Sequence, residues 1–238
     1  MSALSGATPG QPFHARVPNW VLATIAIVMA LLGLLSSPAG ATLQDAIEQR
    51  AAVTIEADFA KPLDGWYGDG NWTRGWMQER SAVRVGRLML HRPSVRLANY
   101  DFEFAGQIAR RSLGWVFRAA DLRNYYAARL IAPDAPGSPL VLERSVVIGG
   151  EVLTRVQIPI RERLDLEKPL RIEVQVRGSD FRTSIEGRVV DFFRDDLLQS
   201  GGVGFMGEPE DRPRIYWMRV RHQDDALGRV CAWISGIS

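Results

Sequence analysis

The sequence predicts an all-β protein in which two antiparallel sheets pack face to face. From Val53 onward, runs of alternating or β-branched residues follow one another, among them YDFEFAGQI, LRIEVQVRG and RIYWMRVRH. Clusters of Gly, Pro, Asn and Asp separate these runs, as in sandwiches and barrels. No long helix-period run interrupts them, which argues against a parallel sheet built from βαβ units.

The elements follow in chain order. Residues 1–19 lack acidic side chains, and His14 and Arg16 precede WVLATIAIVMALLGLL, an uncharged apolar run from Trp20 to Leu35. The flank SSPAGA offers Ala39 and Ala41 as a small-x-small cleavage site. Residues 1–41 are therefore expected to be either a cleaved signal peptide or, with residues 17–35 as a hydrophobic helix crossing the bilayer, a membrane anchor. Both place the rest of the chain outside the cytoplasm, whether secreted, periplasmic or tethered at the cell envelope, because Arg16 holds the N-terminus inside. Residues 42–52 carry helix formers with few apolar positions and read as a stalk. Residues 53–223 make the sandwich. Residues 224–238 close the chain with a short helix, since Leu227, Val230, Cys231 and Ile234 recur at helical spacing after Asp225.

Within the sandwich, alternation assigns faces. In LRIEVQVRG, Ile172, Val174 and Val176 point to the core and Glu173 and Gln175 away from it; in YDFEFAGQI, Phe102 and Phe104 point inward and Asp101 and Glu103 outward. IGGE at 148–151 and EGR at 186–188 suit tight hairpins, because glycine reaches the positive φ that such turns require.

Charge and chemistry narrow the function. The 29 basic and 27 acidic side chains are interspersed, giving a net charge of +2 and no footprint for nucleic acid. Cys231 is the only cysteine, which excludes an internal disulfide and a cysteine-based zinc site. His14, His91 and His222 are scattered, no Gly-x-Ser-x-Gly elbow occurs, and Asp64, Asp69 and Asn71 read as a Gly-rich turn, so neither a metal nor another cofactor is expected.

Three segments carry a resemblance. GWVFRAADLRNYYAARL at 114–130, LRIEVQVRGSDFRTSIEGRVVDFF at 170–193 and SGGVGFMG at 200–207 resemble successive strands of concanavalin A-like lectin/glucanase domains, in particular the laminin-G-like and 3-keto-disaccharide hydrolase type (domain of unknown function 1080). The resemblance covers roughly Ala57 to Arg221. It implies a jelly roll of two antiparallel sheets with glycan recognition on a concave face.

Pairing the first segment as a hairpin about Leu122 and Arg123 puts Trp115, Phe117, Tyr126, Ala128 and Leu130 on one face and Val116, Arg118, Tyr125, Ala127 and Arg129 on the other. The first set has the composition of a core. On the second, Arg118, Tyr125 and Arg129 form a candidate ligand row, since guanidinium forks donate to hydroxyls and an aromatic face covers a sugar ring. Glu103, Glu173 and Gln175 are the candidate acceptors from neighbouring strands. The alternative is a solvated face laced by cross-strand Arg–Glu pairs. Trp66, Tyr67, Trp72 and Trp76 are either a lid over the core or a stacking platform.

Catalysis has thinner support. Glycosidases of the resembled superfamily carry clustered carboxylates on one strand, whereas Glu56 and Asp58 lack the third. DFFRDD offers Asp191, Asp195 and Asp196, of which the later pair reads as turn formers at a strand end, and Glu103 and Glu173 remain the pair to weigh as general acid and base. The expected function is an exported, non-catalytic carbohydrate-binding or envelope-interaction module. The alternatives are a glycoside hydrolase of the keto-disaccharide type and a structural or assembly protein of the envelope.

Overall fold

The computed structural model describes residues 52–59, 63–70, 73, 75–133, 135, 138–208 and 210–223. The leader at 1–41, the stalk up to residue 51, the helix expected at 224–238, Asn71 and Trp72 lie outside the described residues.

Fifteen strands succeed one another among the described residues. They are β1 (Ala52–Asp58), β2 (Trp66–Gly68), β3 (Met77–Gln78), β4 (Val83–Arg84), β5 (Met89–His91), β6 (Tyr100–Gln107), β7 (Ser112–Ala119) and β8 (Tyr125–Ile131). There follow β9 (Leu140–Ile148), β10 (Glu151–Ile160), β11 (Leu170–Arg177), β12 (Asp180–Ile185), β13 (Arg188–Arg194), β14 (Gly202–Met206) and β15 (Arg214–Gln223). One 3₁₀ turn, Arg92–Ser94, is the only helical element described.

The strands build two antiparallel sheets. The first runs β13-β12-β11-β6-β15-β4-β3, with β1 added to the far half of β15 to make eight strands; the second runs β10-β9-β8-β7-β14-β5-β2. This is the two-sheet jelly-roll sandwich that the sequence predicts. Its core is one apolar cluster drawn from both sheets: Phe102, Phe104, Ile172, Val174 and Val176 meet Trp115, Phe117, Tyr126 and Phe205. Phe104 lies 5.5 Å from Trp115 and 5.0 Å from Phe205, ring centroid to centroid, the spacing at which aromatic quadrupoles attract.

The turns follow from residue chemistry. Gly149 and Gly150 (φ 64° and 90°) close the β9–β10 hairpin, and Glu186 and Gly187 (φ 51° and 75°) close β12–β13, both as two-residue loops. The β7–β8 pairing sets Trp115 opposite Ala128 and Phe117 opposite Tyr126. That register differs by one step on the turn from a hairpin centred at Leu122–Arg123, yet it preserves the face of every paired residue, because the side-chain period is two.

Four register shifts break the alternation among the described residues, one of them on β15 between Ile215 and Trp217, and the other three decide what each sheet presents. On β7, Phe117 and Arg118 together oppose Val203, and Arg118 takes φ 48°. On β10, the register slips between Val152 and Thr154; on β13, it slips between the partners of Thr183 and Ser184. The last turns Asp191 inward, where it meets Arg144 of the other sheet at 3.0 Å while the Arg144 guanidinium lies 3.7 Å over the Phe193 ring. Burial raises the Asp191 carboxyl above the usual carboxylate range, and Arg144 pulls it back.

Candidate functional site

The expected ligand row divides among three places. Arg118 leaves it altogether. The β7 bulge swings the side chain between the sheets, where 1% of the residue remains exposed. There Nη1 donates to Leu198 O at 2.7 Å, and Nη2 donates to Ala98 O at 2.7 Å and Gly178 O at 2.6 Å. Its backbone N–H, displaced from the ladder, donates to the Tyr100 hydroxyl at 2.7 Å. Gly201 makes the close approach possible, since a Cβ there would sit 2.4 Å from the Arg118 carbonyl carbon. The expectation that Arg118 shares a face with Tyr125 and Arg129 is thus corrected: a left-handed backbone residue has abandoned the alternation, and its guanidinium ties three loops together.

Glu103, Glu173 and Gln175 lie on β6 and β11, on the outward side of the eight-stranded sheet. They cannot serve as acceptors for Tyr125 and Arg129, which belong to the other sheet; the core separates the two faces. Glu103 and Glu173 stand directly opposite each other across the β6–β11 ladder. Glu103, 2% exposed, ion-pairs with Arg171 and, at 3.7 Å, with Arg221. Glu173 accepts a hydrogen bond from Gln175 Nε2 at 3.1 Å.

Tyr125 and Arg129 do come together, on the outward side of the seven-stranded sheet, at a pocket of about 260 Å³. Alternation on β8 and β9 turns Tyr125, Ala127 and Arg129 outward beside Val147, Ser145 and Glu143, their register partners. The β10 bulge supplies the third strand. Beyond it Arg155 pairs with Ser145 and Gln157 with Glu143, so both polar side chains share the pocket's face. A bulge-free continuation of the Gly149–Gly150 hairpin would have sent them to the other side.

Ion pairs frame the pocket. Arg129 Nη2 lies 3.4 Å from Glu208 Oε1, and Arg155 Nε lies 3.8 Å from Glu143 Oε1. Gln157 Nε2 donates to Glu143 Oε2 at 3.0 Å. Burial raises the Tyr125 phenol above its ordinary pKa, with Arg129 opposing the shift, so the hydroxyl stays protonated and can donate. The set offers an aromatic ring, two guanidinium donors and two carboxylate acceptors, all within one hollow.

Beyond this hollow the same face is filled. Leu90, Val116, Ala119 and Ala127 form a second apolar cluster under Tyr67, Leu88, Leu122, Tyr125 and Met206. Arg92 lies 5.1 Å from the centre of the Tyr67 ring. The aromatic stretch of β2 therefore divides: Trp66 packs into the core against Phe59, Phe205 and His91, whereas Tyr67 covers the outer cluster.

Sequence reasoning reached Tyr125 and Arg129 but missed Glu143, Arg155, Glu208 and Met206. Alternation in LVLERSVVI marks Glu143 as a candidate for the face of Ser145 and Val147; Arg155 had no such signal, because a bulge sets its orientation. A larger cavity, about 370 Å³, lies between residues 161–169 and the β12–β13 hairpin. Its lining contains no aromatic side chain, its Lys168 is paired with Asp165, and its Glu186 carboxylate accepts the Arg171 N–H.

No protein family and no curated protein matches the chain by sequence. Two solved structures share its fold, and a third is similar at a lower score. A prokaryotic β-1,3-1,4-glucanase (lichenase) derived from a mouse hindgut metagenome superposes with a TM-score of 0.50 at 8% identity, covering 72% of this chain and 100% of its own. The CBM2 module of the evolved Dit of Lactobacillus casei BL23 phage J-1 gives 0.50 at 11% identity, covering 73% and 97%. The carbohydrate binding module CBM66 from Bacillus subtilis gives 0.43 at 18% identity, covering 67% and 92%.

Proposed function

We propose that the sandwich is a non-catalytic carbohydrate-binding module, carried outside the cytoplasm by its N-terminal segment, and that the pocket on β8, β9 and β10 is its ligand site. The observation that carries this reading is the pairing of Tyr125 with two Arg–Glu pairs in one hollow. A sugar ring presents apolar C–H edges that pack on an aromatic face. Its hydroxyls both donate and accept, so they match carboxylates and guanidinium groups held side by side. The fold supports the reading as context, since glucanases and carbohydrate-binding modules are both built on it; the laminin-G-like branch is the finer assignment we favour from the sequence.

Binding without turnover is supported by the state of Glu103, which is sealed under Arg171 and Arg221. A general acid or base needs access to the proton it moves. The hydrolase reading keeps one observation in its favour: Glu103 and Glu173 stand directly opposite each other across the β6–β11 ladder.

The test uses the full-length chain, purified in mild detergent, on a broad glycan array. Retention of a glycan that is lost in Tyr125→Ala and Arg129→Ala supports the module. Release of reducing sugar that disappears in Glu103→Gln and Glu173→Gln would replace it with the hydrolase, and absence of both activities would favour a role in envelope assembly.

A further inference from the structure

We propose that the pocket takes the end of a neutral glycan chain and not a stretch from its middle, an inference that rests on the carbohydrate-binding reading. A polymer lying across all seven strands would need about 29 Å of open face, from six interstrand spacings of about 4.8 Å. The pocket's floor spans β8 to β10, two spacings or about 10 Å, and Met206 and Glu208 reach its rim from β14 and just beyond it. The remainder of the face is blocked by the protein's own side chains. Leu90 and Val116 point away from the core and are nevertheless fully buried, because Tyr67, Leu88, Leu122 and Met206 lie over their cluster.

Met206 forms the wall on the β14 side. It leans across Gly114, where a Cβ would lie 3.0 Å from Met206 Cγ. Among the described residues the opposite side has no such barrier. β10 is the last strand of its sheet, and Val152 and Arg155 are exposed along it. A chain can therefore leave over the β10 edge, while its terminal unit stops against Met206.

Charge selects a neutral terminus. Arg129 is matched by Glu208 and Arg155 by Glu143, so the pocket carries no net charge to attract an acidic sugar. A carboxylated terminal unit would be brought against Glu143 and Glu208, a like-charge contact in a partly desolvated hollow. A pair of neighbouring hydroxyls can instead donate to a carboxylate and accept from a guanidinium without disturbing either ion pair.

The experiment measures affinity by titration calorimetry, using the full-length chain in mild detergent. Its probes are the disaccharide to hexasaccharide series of whichever neutral glycan the array retains, and the mixed-linkage β-glucan series as a fixed reference. Affinity should level off early, with the hexasaccharide within about twofold of the trisaccharide. Capping one particular terminus of the same oligosaccharide should weaken binding by more than about tenfold, and capping the other should leave it unchanged. In Met206→Ala combined with Leu122→Ala, affinity should begin to rise with chain length. If affinity in the unaltered protein climbs with every added sugar, or if neither cap weakens binding, the chain-end inference is overturned while the carbohydrate-binding reading stands. Tighter binding of the matching uronate series overturns the neutral assignment. Retention of no glycan overturns the carbohydrate-binding reading and takes this inference with it.

Discussion

The two outward faces of the sandwich use the same residue types and end differently. On the eight-stranded sheet, Glu173, Glu103, Arg219 and Glu56 stand in one row across β11, β6, β15 and β1. Glu56 pairs with Arg219 at 2.8 Å, Asp101 with Arg177 at 2.7 Å, and Glu103 with Arg171 and Arg221. On the seven-stranded sheet, arginine and glutamate also pair, yet they stand around a hollow floored by Ala127 and Ser145. The difference lies in the backbone. One bulge removes Arg118 from that face and another delivers Arg155 to it, so two local departures from alternation clear and then furnish a site that regular strands would have tiled over.

The sharpest way to break this comparison is Arg118→Ala. The substitution leaves the carbonyls of Ala98, Gly178 and Leu198 without their buried donor, at about 1–3 kcal/mol for each group left unsatisfied. A loss of about 3 kcal/mol or more is expected in denaturant unfolding, with glycan affinity of the remaining folded protein unchanged. Near-native stability combined with lost binding would return Arg118 to the ligand face.

His91 gives a comparable effect through pH. It lines the core edge opposite Trp66, with ring centroids 4.9 Å apart, and its Nδ1 has no hydrogen-bond partner among the described residues. Burial pushes its pKa from 6.5 down to about 4. As pH falls, the unfolded chain takes up this proton first, so the residue's contribution is full above about 6.5 and is lost progressively down to about 4. The total is on the order of 3 kcal/mol. Unfolding at about pH 7 and about pH 4.5 should show a larger acid loss in the native protein than in His91→Phe. Equal losses would mean that this edge of the seven-stranded sheet opens to water.

Within the pocket, Tyr125→Ala, Arg129→Ala and Arg155→Ala should each weaken glycan binding by about tenfold or more, equivalent to about 1.4 kcal/mol, with smaller changes in stability. Arg155→Ala tests the bulge directly. Thr154→Arg combined with Arg155→Thr should place the guanidinium opposite Val146, off the pocket's face, and cost the same affinity. Binding that survives both changes would show that the hollow is not furnished from β10.

How much of this was legible in the sequence follows from the same physics. Alternation in YDFEFAGQI, LRIEVQVRG and the 114–130 hairpin reports which side of a strand meets the core, and the observed burial of Phe102, Val174, Trp115 and Tyr126 agrees with it. Glycines at 149, 150 and 187 announced their turns, because few other residues accept φ > 0. Two things were hidden. Alternation does not say which sheet a strand joins, so Glu103 and Glu173 were grouped with Tyr125 across a core that separates them. Nor does it announce a bulge at a non-glycine residue, and Arg118 carries a side chain that alternation alone would leave in water. Of the candidate row, Tyr125 and Arg129 stay on one face because β8 is regular from end to end.

The smallest effect belongs to the face that has no hollow. Glu56 and Arg219 are both solvent-exposed, so their pairing at 2.8 Å is screened and is worth about 0.2–1 kcal/mol. A double-mutant cycle of Glu56→Ala and Arg219→Ala should recover a coupling in that range at low salt, shrinking as the Debye length falls. Neither substitution should alter glycan affinity, since the pair stands on the far side of the core from Tyr125. A change in binding without a change in stability would mean that the ion-paired face also meets ligand, and the contrast between a tiled face and a furnished one would fail there.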